Sequence, residues 1–166
     1  GGVARLHIFG EVLPDWAKVK KNQLIDLAAV ENGGVVIAAS DMFFGSKENL
    51  LMPGRALNMG DGWETKRRRG PGYDWAIVRL GRSGRIQKIE VDTNHFKGNF
   101  PESCSLEGCF VPGAKLLPAD FRDRTDIVWR EILPRTKLKA HYQHYFEKEL
   151  SSGVSSLSFN YLRMNI

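Results

Sequence analysis

Apolar and polar positions along this chain alternate with period two more often than with the helical period. Residues 2–9, GVARLHIF, set Ala4, Leu6 and Ile8 against Val3, Arg5, His7 and Phe9, the arrangement of a half-buried strand. Gly10 ends it. The mixed stretch EVLPDWAKVKKNQ at 11–23, broken by Pro14, reads as a linker. LIDLAAVENGG is a short helical or extended approach closed by Gly33 and Gly34, and VVIAAS at 35–40 is a buried strand. Residues 41–62 show no period and end in Gly and Asp. They form a long loop, which Phe43, Phe44, Leu50, Leu51 and Met52 argue is ordered. DWAIVRLG at 74–81, RIQKIEVDT at 85–93, SCSLEGCFVP at 103–112 and SSLSFNYLRMNI at 155–166 are strands; IVWREILP at 127–134 is ambiguous. Short strands separated by Gly/Pro turns, with no βαβ alternation, predict an all-β antiparallel sandwich or barrel.

Composition sharpens this little. A chain of 166 residues suits one ordinary domain with a fragment of a second. Seventeen glycines and seven prolines suit strands and turns rather than a helical bundle. No apolar run approaches the roughly 20 residues that span a bilayer. The opening GGVARLHIFG is not a secretory signal and lacks an initiator Met, so the sequence reads as a fragment. Cys104 and Cys109 fall on opposite faces if their segment is a strand, which argues against a disulfide and for a cytosol-like compartment. The net charge of +5 admits nucleic acid or a small anion as partner. Its concentration in Lys66–Arg69 and in Lys18, Lys20 and Lys21 fits a solvated loop and a solvated linker equally well.

Two clusters carry candidate chemistry. In DGWETKRRRGPGYDW, Asp61 and Glu64 can accept hydrogen bonds from N–H groups and Arg67 with its neighbours can grip a carboxylate in bidentate fashion. Trp63, Tyr73 and Trp75 give aromatic walls. The bland alternative makes the two tryptophans core anchors, Asp61-Gly62 a turn and the basic run a solvated surface. In VDTNHFKGNFPESC, His95 and Asp92 at a strand end form a candidate acid–base pair. Alternatively, Asp92-Thr93-Asn94 make local side chain to backbone bonds in a polar turn. His141 and His144 lack a third ligand for zinc and read as exposed polar residues. There is no P-loop, GxGxxG or G-x-S-x-G.

The run GDGWETKRRRGPGYDWAIVRLGRSGRIQKIEVDTNHFKGNFPESCSLEGC, with SDMFFGSKENLLMPGRA before it, resembles the signature block of the allantoicase (allantoate amidinohydrolase) family. The similarity is strong over residues 24–112 and looser onward through LPRTKL and YLRMNI. It implies a jelly-roll β-sandwich resembling galactose-binding domains, built as two similar repeats. Residues 1–10 then resemble the closing strand of a preceding repeat, 11–23 a linker, and 24–166 a repeat lacking its last strand. Residues 2–9 are candidates for that vacant place, since an open sheet edge seeks a partner.

The resemblance further implies hydrolysis of allantoate, a small carboxylic acid with two ureido groups, to ureidoglycolate and urea in purine degradation. On that reading Arg67, with Lys66 or Arg68, holds the carboxylate. Asp61 and Glu64 receive ureido hydrogens or act as base, Trp63 and Asn99 complete the substrate contacts, and His95, oriented by Asp92, donates the proton. No cofactor is implied; a divalent metal is left open without sequence support. The full-length protein is expected to be a cytoplasmic homo-oligomer, with the peroxisome as alternative compartment, and to bind neither nucleic acid nor membrane. A non-catalytic ligand-binding sandwich, or an inactive fragment of such an enzyme, is the competing reading.

Overall fold

Among the described residues, seven strands and very little helix build the molecule: β1 (Val35–Ala39), β2 (Trp75–Gly84), β3 (Ile89–Asp92), β4 (Ser103–Cys109), β5 (Arg130–Lys137), β6 (Gln143–Phe146) and β7 (Phe159–Asn165). The structure is a computed structural model that describes residues 1–10, 12–113 and 115–166. Glu11, within the expected linker, lies outside the described residues, as does Ala114. One sheet has the order β1-β2-β7-β4-β5 and the second pairs β3 with β6. All pairings are antiparallel, with Val36 opposite Val78, Val78 opposite Leu162, and Ile89 opposite Phe146. The two sheets face each other as the expected jelly-roll sandwich.

Period-two alternation builds the core. Val36, Ala76, Val78, Leu80, Cys104 and Leu106 turn from the large sheet toward Ile89 and Phe146 of the small one, with Ile132, Leu133 and Phe159 almost fully enclosed. Both faces of β7 are covered. Leu162 and Met164 join the main core, whereas Tyr161 packs on the other face with Cys109, Leu116, Phe121 and Trp129. The two thiols therefore lie on opposite faces, free and buried, and burial pushes each up to about 11. Among the described residues no helix is long and apolar enough to cross a membrane.

Two sequence expectations change. Residues 2–9 form no strand and occupy no sheet edge. Val3, Leu6, Ile8 and Phe9 are exposed, because the alternating segment finds no partner strand here. His144 is not an exposed polar residue: it sits buried in β6, its Nδ1 bonded to the Val91 carbonyl and its Nε2 accepting from the Lys139 N–H. A strand of four residues set among polar neighbours is too short for its alternation to stand out. The small sheet has two strands against five among the described residues, and an open cavity of about 2170 Å³ lies between the sheets and runs up to the loops at one end. Strand direction places the β1–β2 loop (40–74), the β3–β4 loop (93–102) and the β5–β6 loop (138–142) together at that end.

Candidate active site

The long β1–β2 loop is ordered by its own polar residues. Its base is closed by Ser40, whose hydroxyl donates to Asp74 Oδ1 at 2.8 Å and accepts the Trp75 N–H at 2.9 Å. Higher up, Gly45 and Glu64 form a bridge of two backbone bonds, Gly45 N to Glu64 O at 3.1 Å and Glu64 N to Gly45 O at 3.3 Å. Only glycine fits at 45, since a Cβ there would lie 2.2 Å from the Gly62 carbonyl oxygen. Asn49 Nδ2 donates to the Gly60 and Gly62 carbonyls, and Asn58 and Asp61 cap the 3-10 turn Met59–Asp61. Asp61 Oδ2 accepts the Leu57 N–H at 2.8 Å, so its carboxylate is engaged in shaping the loop. Trp63 is buried, its Nε1 donating to the Asp41 carbonyl at 2.8 Å: it is a core anchor, not an open aromatic wall.

These constraints deliver Glu64 to the cavity, half-buried, with Oε1 accepting from Asn99 Nδ2 of the β3–β4 loop at 2.6 Å. The two expected clusters thus meet at Glu64 and Asn99. The expected carboxylate–imidazole pair does not form. Asp92 is gripped by Arg55, Nε to Oδ2 at 2.8 Å and Nη2 to Oδ1 at 3.2 Å, and it also takes the Asn94 N–H at 2.9 Å. The bond to Asp92 holds the Arg55 pKa above its usual value. His95 has a left-handed backbone, φ 69°, and its ring Nε2 lies 3.0 Å from the Ala56 carbonyl. A carbonyl only accepts, so Nε2 carries the proton. The His95 N–H in turn donates to His141 Nδ1 at 2.8 Å. His95 thus ties three loops together and lies outside the cavity lining.

The basic run divides its labour. Arg68 Nη2 pairs with Asp74 Oδ1 at 2.9 Å, the Lys66 ammonium lies over the Phe43 ring at 4.5 Å, and the Lys66 backbone N–H donates to the Asp41 carboxylate. Arg67 lines the cavity, exposed, and makes no ion pair among the described residues. Arg55 was not singled out from the sequence, and His141, read there as an exposed polar residue, is exposed but accepts the His95 N–H. Arg55 sits in the aperiodic MPGRA stretch, 37 positions from its carboxylate partner, and no local pattern announces such a pair. Among the described residues no group of three or more His, Cys, Asp or Glu side chains is placed to hold a metal ion.

Asp74 offers a check on loop stability. Burial alone would raise its pKa, but hydrogen bonds from Arg68, Ser40 and Thr65 outweigh that and hold the carboxyl below its usual range. A pKa lower in the folded than in the unfolded state stabilises the fold above the unfolded value of about 3.9, and this is lost as pH falls through the folded value. The melting temperature is therefore expected to drop below about pH 4, and Asp74→Asn to weaken that acid dependence. Melting curves from neutral pH downward check it; an unchanged acid limb in the variant removes Asp74 from the account.

The chain is similar to known proteins in sequence and in fold. A family model for the allantoicase repeat matches residues 25–166. Allantoicase of Dictyostelium discoideum is 50% identical over 166 residues, all of this chain and 43% of that protein. Probable allantoicase of Pseudomonas savastanoi pv. phaseolicola is 51% identical over 153 residues, covering 92% of this chain and 45% of that one. The crystal structure of Saccharomyces cerevisiae allantoicase superposes with a TM-score of 0.69 at 41% identity, over 86% of this chain and 39% of that chain. The chain thus spans less than half the length of these relatives. Matched by the repeat model over most of its length and by relatives at about half identity, the chain belongs to the allantoicase family.

Proposed function

We propose that this chain carries an allantoate-hydrolysing site, in a protein that releases urea and leaves ureidoglycolate. The observation that carries the reading is Glu64, held by Asn99 across two loops and facing a cavity that also bears arginines. In the reaction water adds its hydroxyl to the central carbon, the bond from that carbon to one ureido nitrogen breaks, and the remaining proton goes to the departing nitrogen. Glu64 is the group that takes the proton from water and returns it to the nitrogen. The oxygen held by Asn99 is fixed, and the other is left to face substrate. Asn99 accepts or donates to a ureido group, and Arg67 brings positive charge toward the carboxylate. Lys66, Arg68, Asp61, Trp63, Asp92 and His95 keep the loops in place through the contacts described above, which replaces proton donation by His95.

In a longer protein that carries this chain, residues 1–10 become the closing strand of a preceding repeat and 11–23 a linker. The exposed apolar side chains of 3–9 and the open cavity between the sheets support this. The full-length protein is a homo-oligomer of a reducing compartment, the cytoplasm or the peroxisome, which suits two buried free thiols. Urea release is measured for this chain and for a protein of the relatives' full length that carries it, with hydrogen exchange over residues 2–9 and light scattering on the longer form. Activity, protection of 2–9 and assembly are expected in the longer form. No urea from allantoate there would refute the activity, and rapid exchange at 2–9 would refute the strand.

A further inference from the structure

We propose that Arg55, steadied by Asp92, is the residue that grips the substrate's carboxylate. The inference rests on the allantoate reading and deepens it. Guanidinium carries five N–H donors in a rigid plane. Asp92 takes one edge, through Nε and Nη2, with both bonds in the hydrogen-bonding range. That leaves the end formed by Nη1 and Nη2, where two parallel N–H groups match the two oxygens of a second carboxylate. The Arg55 side chain is 50% exposed and lines the same cavity as Glu64, while Asp92 is only 20% exposed beneath it. The backbone is pinned immediately afterwards, because the Ala56 carbonyl accepts from both Asn94 Nδ2 and the His95 ring. The contacts of His95 thereby acquire a purpose, since they hold the strand of loop from which Arg55 reaches.

The cations of the basic run are less well prepared. Arg68 is directed to Asp74, Lys66 lies over Phe43, and Arg67 has no ion pair among the described residues to fix its rotamer before an anion arrives. An unheld arginine loses side-chain freedom on binding, whereas one already clamped by a carboxylate has lost it in folding. Arg67 then supplies attraction at longer range and Arg55 the oriented contact.

The test compares Arg55→Gln, Arg55→Lys and Arg67→Gln in a full-length protein carrying this chain. It measures KM for allantoate and the inhibition constant of the carboxamide of allantoate, which has the same shape without the charge. Arg55→Gln is expected to raise KM for allantoate about 10- to 100-fold, the loss of charge-assisted bonds, and to leave carboxamide binding within about threefold. Arg55→Lys should recover part of the affinity, and Arg67→Gln should have the smaller effect. An allantoate KM that barely moves in Arg55→Gln overturns the proposal. So does equal weakening of acid and amide, which would mean that Arg55 only holds the loops. If the unsubstituted protein yields no urea, the functional reading falls separately, and calorimetric titration of allantoate into the same variants decides the question of Arg55.

Discussion

Glu64→Gln is expected to lower kcat for urea release about 100- to 10,000-fold, the usual worth of a positioned proton-transfer group. The substitution is close to isosteric, and its carbonyl oxygen can still accept from Asn99 Nδ2, the contact seen at 2.6 Å. Loop geometry should therefore survive. Backbone bonds from Gly45 and the cap made by Asn58 and Asp61 do not involve the Glu64 side chain. What disappears is the ability to hold and return a proton. KM should change much less than kcat, because removing a group that matters only in the transition state lowers kcat and kcat/KM together. Steady-state kinetics of urea release, with melting curves to confirm the fold, make the check. A kcat within a few-fold of the parent would remove Glu64 from the chemistry and leave it a binding residue.

Much of this arrangement could be read before the fold was known, and the failures have physical causes. The period-two pattern located β2, β4 and β7, because each has at least one face packed in the core and enough residues for the alternation to repeat. It missed β6, whose four residues alternate only through His144 and Phe146. At residues 2–9 the pattern was sound but insufficient: a strand is made by its neighbours, and none lies beside it. Glu64 stood out in its acid–aromatic–basic cluster and Asn99 through the resemblance, and the two are in contact although they lie 35 positions apart. Asp92 and His95 show the opposite case. Three residues apart, they looked like a natural pair, yet the left-handed backbone at His95 and the competing guanidinium of Arg55 send the two side chains to different partners. Proximity in sequence is a weak guide inside a turn, where one φ angle decides which way a ring faces.

At the opposite end of the sandwich, Phe159→Ala is expected to destabilise the chain by about 3–5 kcal/mol, the range for removing a buried aromatic ring. Phe159 is 2% exposed at the start of β7. It fills the space over Gly108 together with Ile132: a Cβ added at Gly108 would lie 2.5 Å from Phe159 Cδ1 and 2.6 Å from Ile132 Cδ1. Gly108 and Phe159 are thus complementary, a missing side chain on β4 accommodating a large one on β7. Gly108→Ala alone should destabilise by about 1–3 kcal/mol through overpacking. In a Phe159→Ala background the same methyl group enters the void that the ring has left, so the double variant should be more stable than the sum of the two changes implies. Denaturant unfolding of the four proteins measures this coupling, and strictly additive losses would show that the two positions do not share that space. Because Phe159 lies at the end of the sandwich away from Glu64 and Asn99, kcat in the full-length protein should hold at temperatures well below the melt. A loss of activity without unfolding would instead mean that the packing of β7 is transmitted along the strand to Asn165 and the loops beside it.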